Sequence, residues 1–277
     1  MKESSKMLNM SKTSSSYSFL AGFAKVLWAF AFLFIFSHGS FAADATSPYY
    51  IRLDGGLSAS RDAGFKNNSC DPLGAPLCYL GPNGLNKIGN GALISGGIGF
   101  KILSFLRLEA SIDNKSGYKL NETYTNAPTY WGTKTNVQSK ISSFSGFATG
   151  YLDIAPLLKT DFGFFEPYIG FGLGMSQNSM KAGNLVDNSV PGAVFSATFS
   201  GANNSSFSYR LLVGTGIRIT PNLAFDLGYR YSDYGRISVS NQQSSWSLNN
   251  VPVASPFAGF KGNLKSDEVT FGVRYNF

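Results

Sequence analysis

Large apolar residues alternate with small or polar ones in short runs along most of the chain, most sharply at its C-terminal end. There the odd positions are Val269, Phe271, Val273, Tyr275 and Phe277, and Thr270, Gly272, Arg274 and Asn276 lie between them. A two-residue period puts successive side chains on opposite faces of an extended strand. Seven further segments share it. Tyr49–Ala59 sets Tyr49, Ile51, Leu53 and Leu57 against Tyr50, Arg52, Asp54 and Ser58. Ala92–Phe100 sets Ala92, Ile94, Ile98 and Phe100 against Leu93, Ser95 and glycines, and Phe105–Asp113 alternates Leu106, Leu108, Ala110 and Ile112 with Arg107, Glu109, Ser111 and Asp113. Ile141–Ile154 is the least regular. With Phe144, Ala148, Leu152 and Ile154 on its apolar face, Phe147, Tyr151 and Asp153 fall on the other. Phe165–Met175, Phe207–Thr220 and Leu223–Tyr231 complete the set, with Glu166, Arg210, Arg218, Asp226 and Arg230 on their polar faces.

The connections alternate too. Strands two and three join through Lys101–Ser104, four and five around Lys159–Gly163, and six and seven through Thr220–Asn222. The other four connections are long and rich in Asn, Ser, Gly and Pro. Long structureless loops are uncommon in compact soluble domains, whereas short turns at one end and long loops at the other suit an even-stranded membrane barrel. A soluble barrel would show its polar face to water. Here the polar face mixes Arg52, Asp54, Arg107, Glu109, Arg210, Asp226, Arg230, Glu268 and Arg274 with many small residues. The apolar face carries aromatic residues near both strand ends: Phe165, Phe225, Tyr275 and Phe277 at the short turns, and Phe207, Tyr209 and Tyr231 at the long loops. Two aromatic girdles around an aliphatic band describe a lipid-facing surface, and a closed barrel leaves no backbone unsatisfied in hydrocarbon. The pattern therefore predicts an all-β, eight-stranded, antiparallel up-and-down transmembrane β-barrel.

Three segments carry a resemblance: "PYIGFGLGM", "LAFDLGYRYSDYG" and the terminal "VTFGVRYNF". With them the chain resembles the eight-stranded outer-membrane barrels that include opacity-type adhesins, bacterial surface antigens and the membrane domain of outer-membrane protein A. The resemblance implies that the barrel-assembly machinery reads a C-terminal strand ending in Phe, which makes Phe271, Val273, Tyr275 and Phe277 the assembly signal.

Residues 1–42 read as a secretory signal peptide, leaving 43–277 as the barrel domain. Lys2, Lys6, Lys12 and Lys25 form a basic leader, Val26–Phe36 is an apolar run too short to span a membrane, and Ser40-Phe41-Ala42 offers a cleavage site. Removing those four lysines and Glu3 leaves 19 basic and 15 acidic residues, so the net charge falls from +7 to +4. No cluster of Lys or Arg suggests a nucleic-acid groove. The sole histidine, His38, lies in the leader, which removes the usual general base. No catalytic, cofactor or metal residue is assigned. The exported pair Cys70 and Cys78, with Pro72 and Pro76 between them, predicts a disulfide across the first long loop. "GGIGF" and "GFGLG" lie within strands and lack a following helix, so they read as interior glycines rather than phosphate loops.

An eight-stranded bore is only wide enough for its own side chains. Arg52, Arg107, Arg210, Arg218, Arg230 and Arg274 are predicted to face Asp54, Glu109, Asp153, Glu166, Asp226 and Glu268 inside it, as a charge-matched plug. The resulting reading is a monomeric, non-enzymatic protein of a Gram-negative outer membrane, held in lipid. It would serve the envelope and present long loops, with Tyr124, Tyr130, Trp131 and Trp246 among them, to a host-surface or matrix ligand. The competing reading is a narrow channel, or a carrier for a small or apolar ligand such as haem.

Overall fold

The computed structural model of the chain describes residues 48–61, 63–67, 88–124, 135–190, 193–240, 244–253 and 259–277. The proposed leader, Cys70, Cys78, Tyr130 and Trp131 lie outside the described residues, as do the side chains of Tyr124 and Trp246. The elements are β1 (Tyr49–Ser60), β2 (Lys66–Asn67), β3 (Asn90–Leu103), β4 (Leu106–Tyr124) and β5 (Thr135–Asp153). A one-turn helix (Ile154–Leu157) follows, then β6 (Phe165–Met180), β7 (Gly183–Val190), β8 (Ala193–Phe199), β9 (Ala202–Arg218), β10 (Leu223–Ser240), β11 (Ser244–Leu248), β12 (Val251–Val253) and β13 (Gly259–Asn276).

Eight of these strands close a ring. Its order is β5-β4-β3-β1-β13-β10-β9-β6, the β6 edge returns to β5, and every pairing is antiparallel. Its C-terminal strand closes on the N-terminal one: Arg52 lies opposite Arg274, and the Phe277 N–H donates to the Tyr49 carbonyl at 3.1 Å. The short connections gather at one end, at Ser104–Phe105, along 154–164 and at 219–222.

Around this ring the outward positions are apolar and exposed. Leu57 is 71 % accessible, Ile94 66 % and Phe271 52 %, and Phe171, Leu211, Val213, Val269 and Val273 point the same way. Phe162, Phe164, Phe165, Phe225, Tyr275 and Phe277 ring the short-turn end, with Phe207 and Tyr229 toward the other. A continuous apolar surface of this extent does not belong on a monomer in water. Phe100 was expected on this face and is instead buried, its ring 6.5 Å from that of Tyr49. Phe147 and Tyr151 are buried on the bore side, while Phe144 faces out, so the irregular fourth strand keeps its phase.

The strands are longer than their sequence pattern. The third runs to Tyr124 rather than Asp113, the last begins at Gly259 rather than Val269, and Ile154 belongs to the helix. Two bulges explain part of the mismatch. The β4–β5 register shifts between Lys115 and Tyr118, where Gly117 has φ 91°, and the β10–β13 register shifts between Asp233 and Arg236, where Gly235 has φ 75°. Each bulge adds a residue and changes which parity faces inward. Asp113 and Lys115 point in, and then so do Tyr118 and Leu120; Ser232 and Tyr234 point in, and then so do Ile237 and Val239.

Past the bulges the two faces exchange character. Tyr118, Leu120, Ile141, Met180, Phe199, Ile237, Val239 and Leu264 form a buried apolar core, joined by Ala63, Phe65 and Ile88 from the first long connection. Lys119, Lys140, Lys181, Arg236 and Lys261 face outward at this level. This is the ordinary polarity of a sheet in water. β7 pairs with the upper part of β5, β8 with β7, β11 with β8 and β12 with β11, so the extension carries a side sheet. Its outermost strand among the described residues is Val251-Pro252-Val253.

Candidate functional site: a filled bore beneath a surface extension

At the short-turn rim, Arg107 reaches Asp153 with two donors, Nη2 at 2.7 Å and Nε at 2.8 Å. Arg274 reaches Glu166 at 2.7 Å and Asp226 at 3.3 Å. Arg218 also meets Glu166, at 2.8 Å, but its side chain is 52 % accessible. The expectation that it lines the bore is therefore corrected. Alternation gives its direction, but the strand ends at Arg218 and its guanidinium extends past the rim into solvent.

One layer further in, Arg52 holds Asp54 at 2.9 Å and lies 3.5 Å from Asp226. Its other nitrogens donate to the Tyr151 and Tyr168 hydroxyls, each at 3.3 Å. Glu109 accepts from Tyr50 at 3.2 Å and from Tyr151 at 3.0 Å. The cationic stack also rests on rings: the Arg107 guanidinium is 5.0 Å from the Tyr151 centroid, and that of Arg210 is 4.5 Å from Phe147. Cation–π contact explains why aromatic residues occupy the polar side of the fourth strand.

The centre is Asp113. Its carboxylate meets Arg210 at 3.2 Å, Lys115 at 3.3 Å and Arg230 at 3.5 Å, and accepts from Ser95 at 2.6 Å. Arg230 also meets Asp54 at 3.2 Å and Glu268 at 3.6 Å. Glu268 accepts from Ser266 and Tyr234, each at 2.7 Å, and lies 3.6 Å from Lys115. Asp113 and Lys115 had no place in the predicted network. Both follow Arg107 and Glu109 at the same parity, and the strand had been ended at Asp113. Just above, the Tyr118 hydroxyl is buried near Glu268. It shares a hydrogen bond with Ser58.

Glycines make the network fit. A Cβ at Gly216 would stand 2.7 Å from Arg274 Nη2, and one at Gly214 2.6 Å from the Tyr168 hydroxyl. Those at Gly99 and Gly272 would collide with the Tyr50 ring and the Asp54 carboxylate. Arg107, Arg210, Arg230, Arg274, Tyr50, Tyr151 and Tyr168 are all less than 2 % accessible, so side chains occupy the bore. Above them the apolar core of the extension lies across the same axis. Phe271, Val273, Tyr275 and Phe277 are not part of this interior; all four face outward.

A closed ring of eight antiparallel strands, apolar outside and charged within, defines an outer-membrane β-barrel. Residues 28–277 match the family model of the outer membrane protein beta-barrel domain, and the chain belongs to that family. It is 26 % identical over 204 residues to a Rickettsia felis protein provisionally named an adhesin, covering 73 % of this chain and 79 % of that one. It is 26 % identical over 239 residues to a Rickettsia massiliae protein with the same provisional name, covering 86 % and 91 %. Among solved structures it is similar in fold to the outer membrane protein OprG from Pseudomonas aeruginosa, with a TM-score of 0.50, 11 % identity, and coverage of 84 % of this chain and 97 % of that one.

Proposed function

We propose that this chain is a non-enzymatic surface protein of the outer membrane that presents its long-strand end to a host cell or matrix ligand. The extension is the observation that carries the reading. Its strands continue past the lipid-facing band, bury a core of their own and support a side sheet of β7, β8, β11 and β12. Such a platform offers a partner a surface built on paired strands, and a pre-ordered surface loses less entropy on binding. The provisional adhesin names of the rickettsial relatives support the same reading. The absence of histidine from residues 43–277 supports a non-catalytic role.

The same reading makes residues 1–42 an export signal, Phe271, Val273, Tyr275 and Phe277 the edge read by the barrel-assembly machinery, and Cys70–Cys78 a bridge across the first loop.

The test is adherence. A non-adherent bacterium expressing the full chain should bind cultured host cells. Replacing Gly183–Phe199 with a short Gly-Ser turn should abolish that binding at equal surface amounts of folded barrel. Equal adherence by both strains, or none by the first, would remove the extension from this role.

A further inference from the structure

Above the lipid-facing band the β9–β10 ladder breaks off and later resumes. Its last pair is Tyr209↔Asp233, and the chain beyond the two strands meets again in β8 and β11 at Phe199↔Ser244. Between those pairs each strand stays bound on its far side. β9 follows β6 as far as Ala202↔Met180, and β10 follows β13 as far as Ser240↔Gly259. The wall of the extension therefore holds a slit framed by paired strands.

Side chains cross this slit where peptide groups would cross an ordinary ladder. Counting on from Tyr209↔Asp233 sets Ser206 against Arg236 and Asn204 against Ser238, so the strands keep step without pairing. The Arg236 N–H donates to Ser206 Oγ at 3.0 Å, and Asn204 Nδ2 donates to the Ser238 carbonyl, also at 3.0 Å. From β6, Asn178 Nδ2 donates to the Tyr234 and Arg236 carbonyls at 2.7 and 3.1 Å. Gly235, with φ 75°, bends β10 at the foot of the slit, where a Cβ would collide with the Ser206 side chain.

The closed form leaves polar groups unsatisfied. Asn178 is fully buried and its Oδ1 accepts no hydrogen bond, and the buried Ser205 hydroxyl has no partner either. A buried polar group without a partner costs free energy that water would restore. Behind the slit lie Ile237, Val239, Met180 and the partly buried Ala202, all in the apolar core of the extension. Wetting that core opposes opening. The crossing side chains therefore set the balance between a closed slit and an open one.

We propose that Asn178, Asn204 and Ser206 form a latch across a slit that opens sideways in the extension, while the membrane barrel below Tyr209↔Asp233 stays closed. Each strand keeps its far-side ladder as the two part, and the bonds that break are side-chain bonds that water replaces. The open form uncovers Ile237 and Val239, and a partner that meets them shifts the extension toward it. The latch does not depend on what the extension binds.

Thiol labelling tests it in the full chain, folded in nanodiscs, with Cys70 and Cys78 replaced by Ser. Val239→Cys places a thiol behind the slit, and Leu120→Cys places one in the same core on β4. A maleimide should label Val239→Cys slowly, and adding Asn204→Ala should speed that labelling about tenfold, the worth of one hydrogen bond. Labelling of Leu120→Cys should not respond to Asn204→Ala. A Val239→Cys rate that ignores Asn204→Ala would overturn the latch. So would an equal rise at Leu120→Cys, because the whole extension would then be unfolding. The heat-dependent gel shift of a closed barrel verifies folding in each variant.

Discussion

At the scale of single residues, the interior is organised around Asp113, which faces Lys115, Arg210 and Arg230 within 3.5 Å. Asp113→Ala would leave three buried cations short of their shared anion. Breaking a buried ionic contact in this way costs about 3–5 kcal/mol. The variant should unfold from lipid at clearly lower denaturant than wild type, while lipid-facing Val269→Ala should shift the midpoint less; equal shifts would contradict a coupled network. Alternation was enough to find most of this interior, because lipid on one side and a narrow bore on the other leave a strand only two faces to offer. It could not tell where the bore ends. Arg218 and Arg210 share a parity, and only the end of the strand distinguishes a solvated guanidinium from a buried one.

Individual strands show where the sequence pattern loses its meaning. Inside the lipid belt apolar means outward, but beyond the bulges at Gly117 and Gly235 apolar means inward. A reader following a fixed phase sees disorder there, and the upper strands of the extension read as long loops. Single inserted residues and a change of solvent produced that error, since neither leaves a composition signal. Gly235 is the sharper case. Its φ of 75° disfavours a β-branched residue, and a Cβ there would approach the Phe207 carbonyl to 2.9 Å. Gly235→Val should cost about 1–3 kcal/mol and expose residues 236–240 to limited proteolysis, with the membrane barrel still closed. Gly55→Val, where a Cβ meets nothing within 4 Å, should leave the digestion pattern unchanged. Identical digestion of the Gly235 variant would show that the bulge does not set the phase of Ile237 and Val239.

The whole molecule combines two cores on one axis. The lower is charged and lies inside an apolar shell; the upper is apolar and lies inside a polar one. Ions would have to displace both the arginine–carboxylate stack and the packing of Ile141, Met180, Ile237 and Leu264. In planar bilayers the wild-type barrel should show no steady single-channel steps, and resolved steps would favour the narrow-channel reading instead. The number of strands, the outer face and most bore residues were open to sequence reasoning because lipid imposes one rule on every strand. The platform above the membrane answers to water and to its own core, and no equally strict rule applies there.

Among the described residues the outermost strand of that platform is only three residues long, and its middle residue is Pro252. A free strand edge offers a template on which another chain can pair, and proline removes one of the donors needed to continue the ladder. A longer edge without proline would let neighbouring copies zip into a shared sheet across the cell surface, tying up the loops that each should keep free. Pro252 at that position disfavours such a ladder between neighbouring copies.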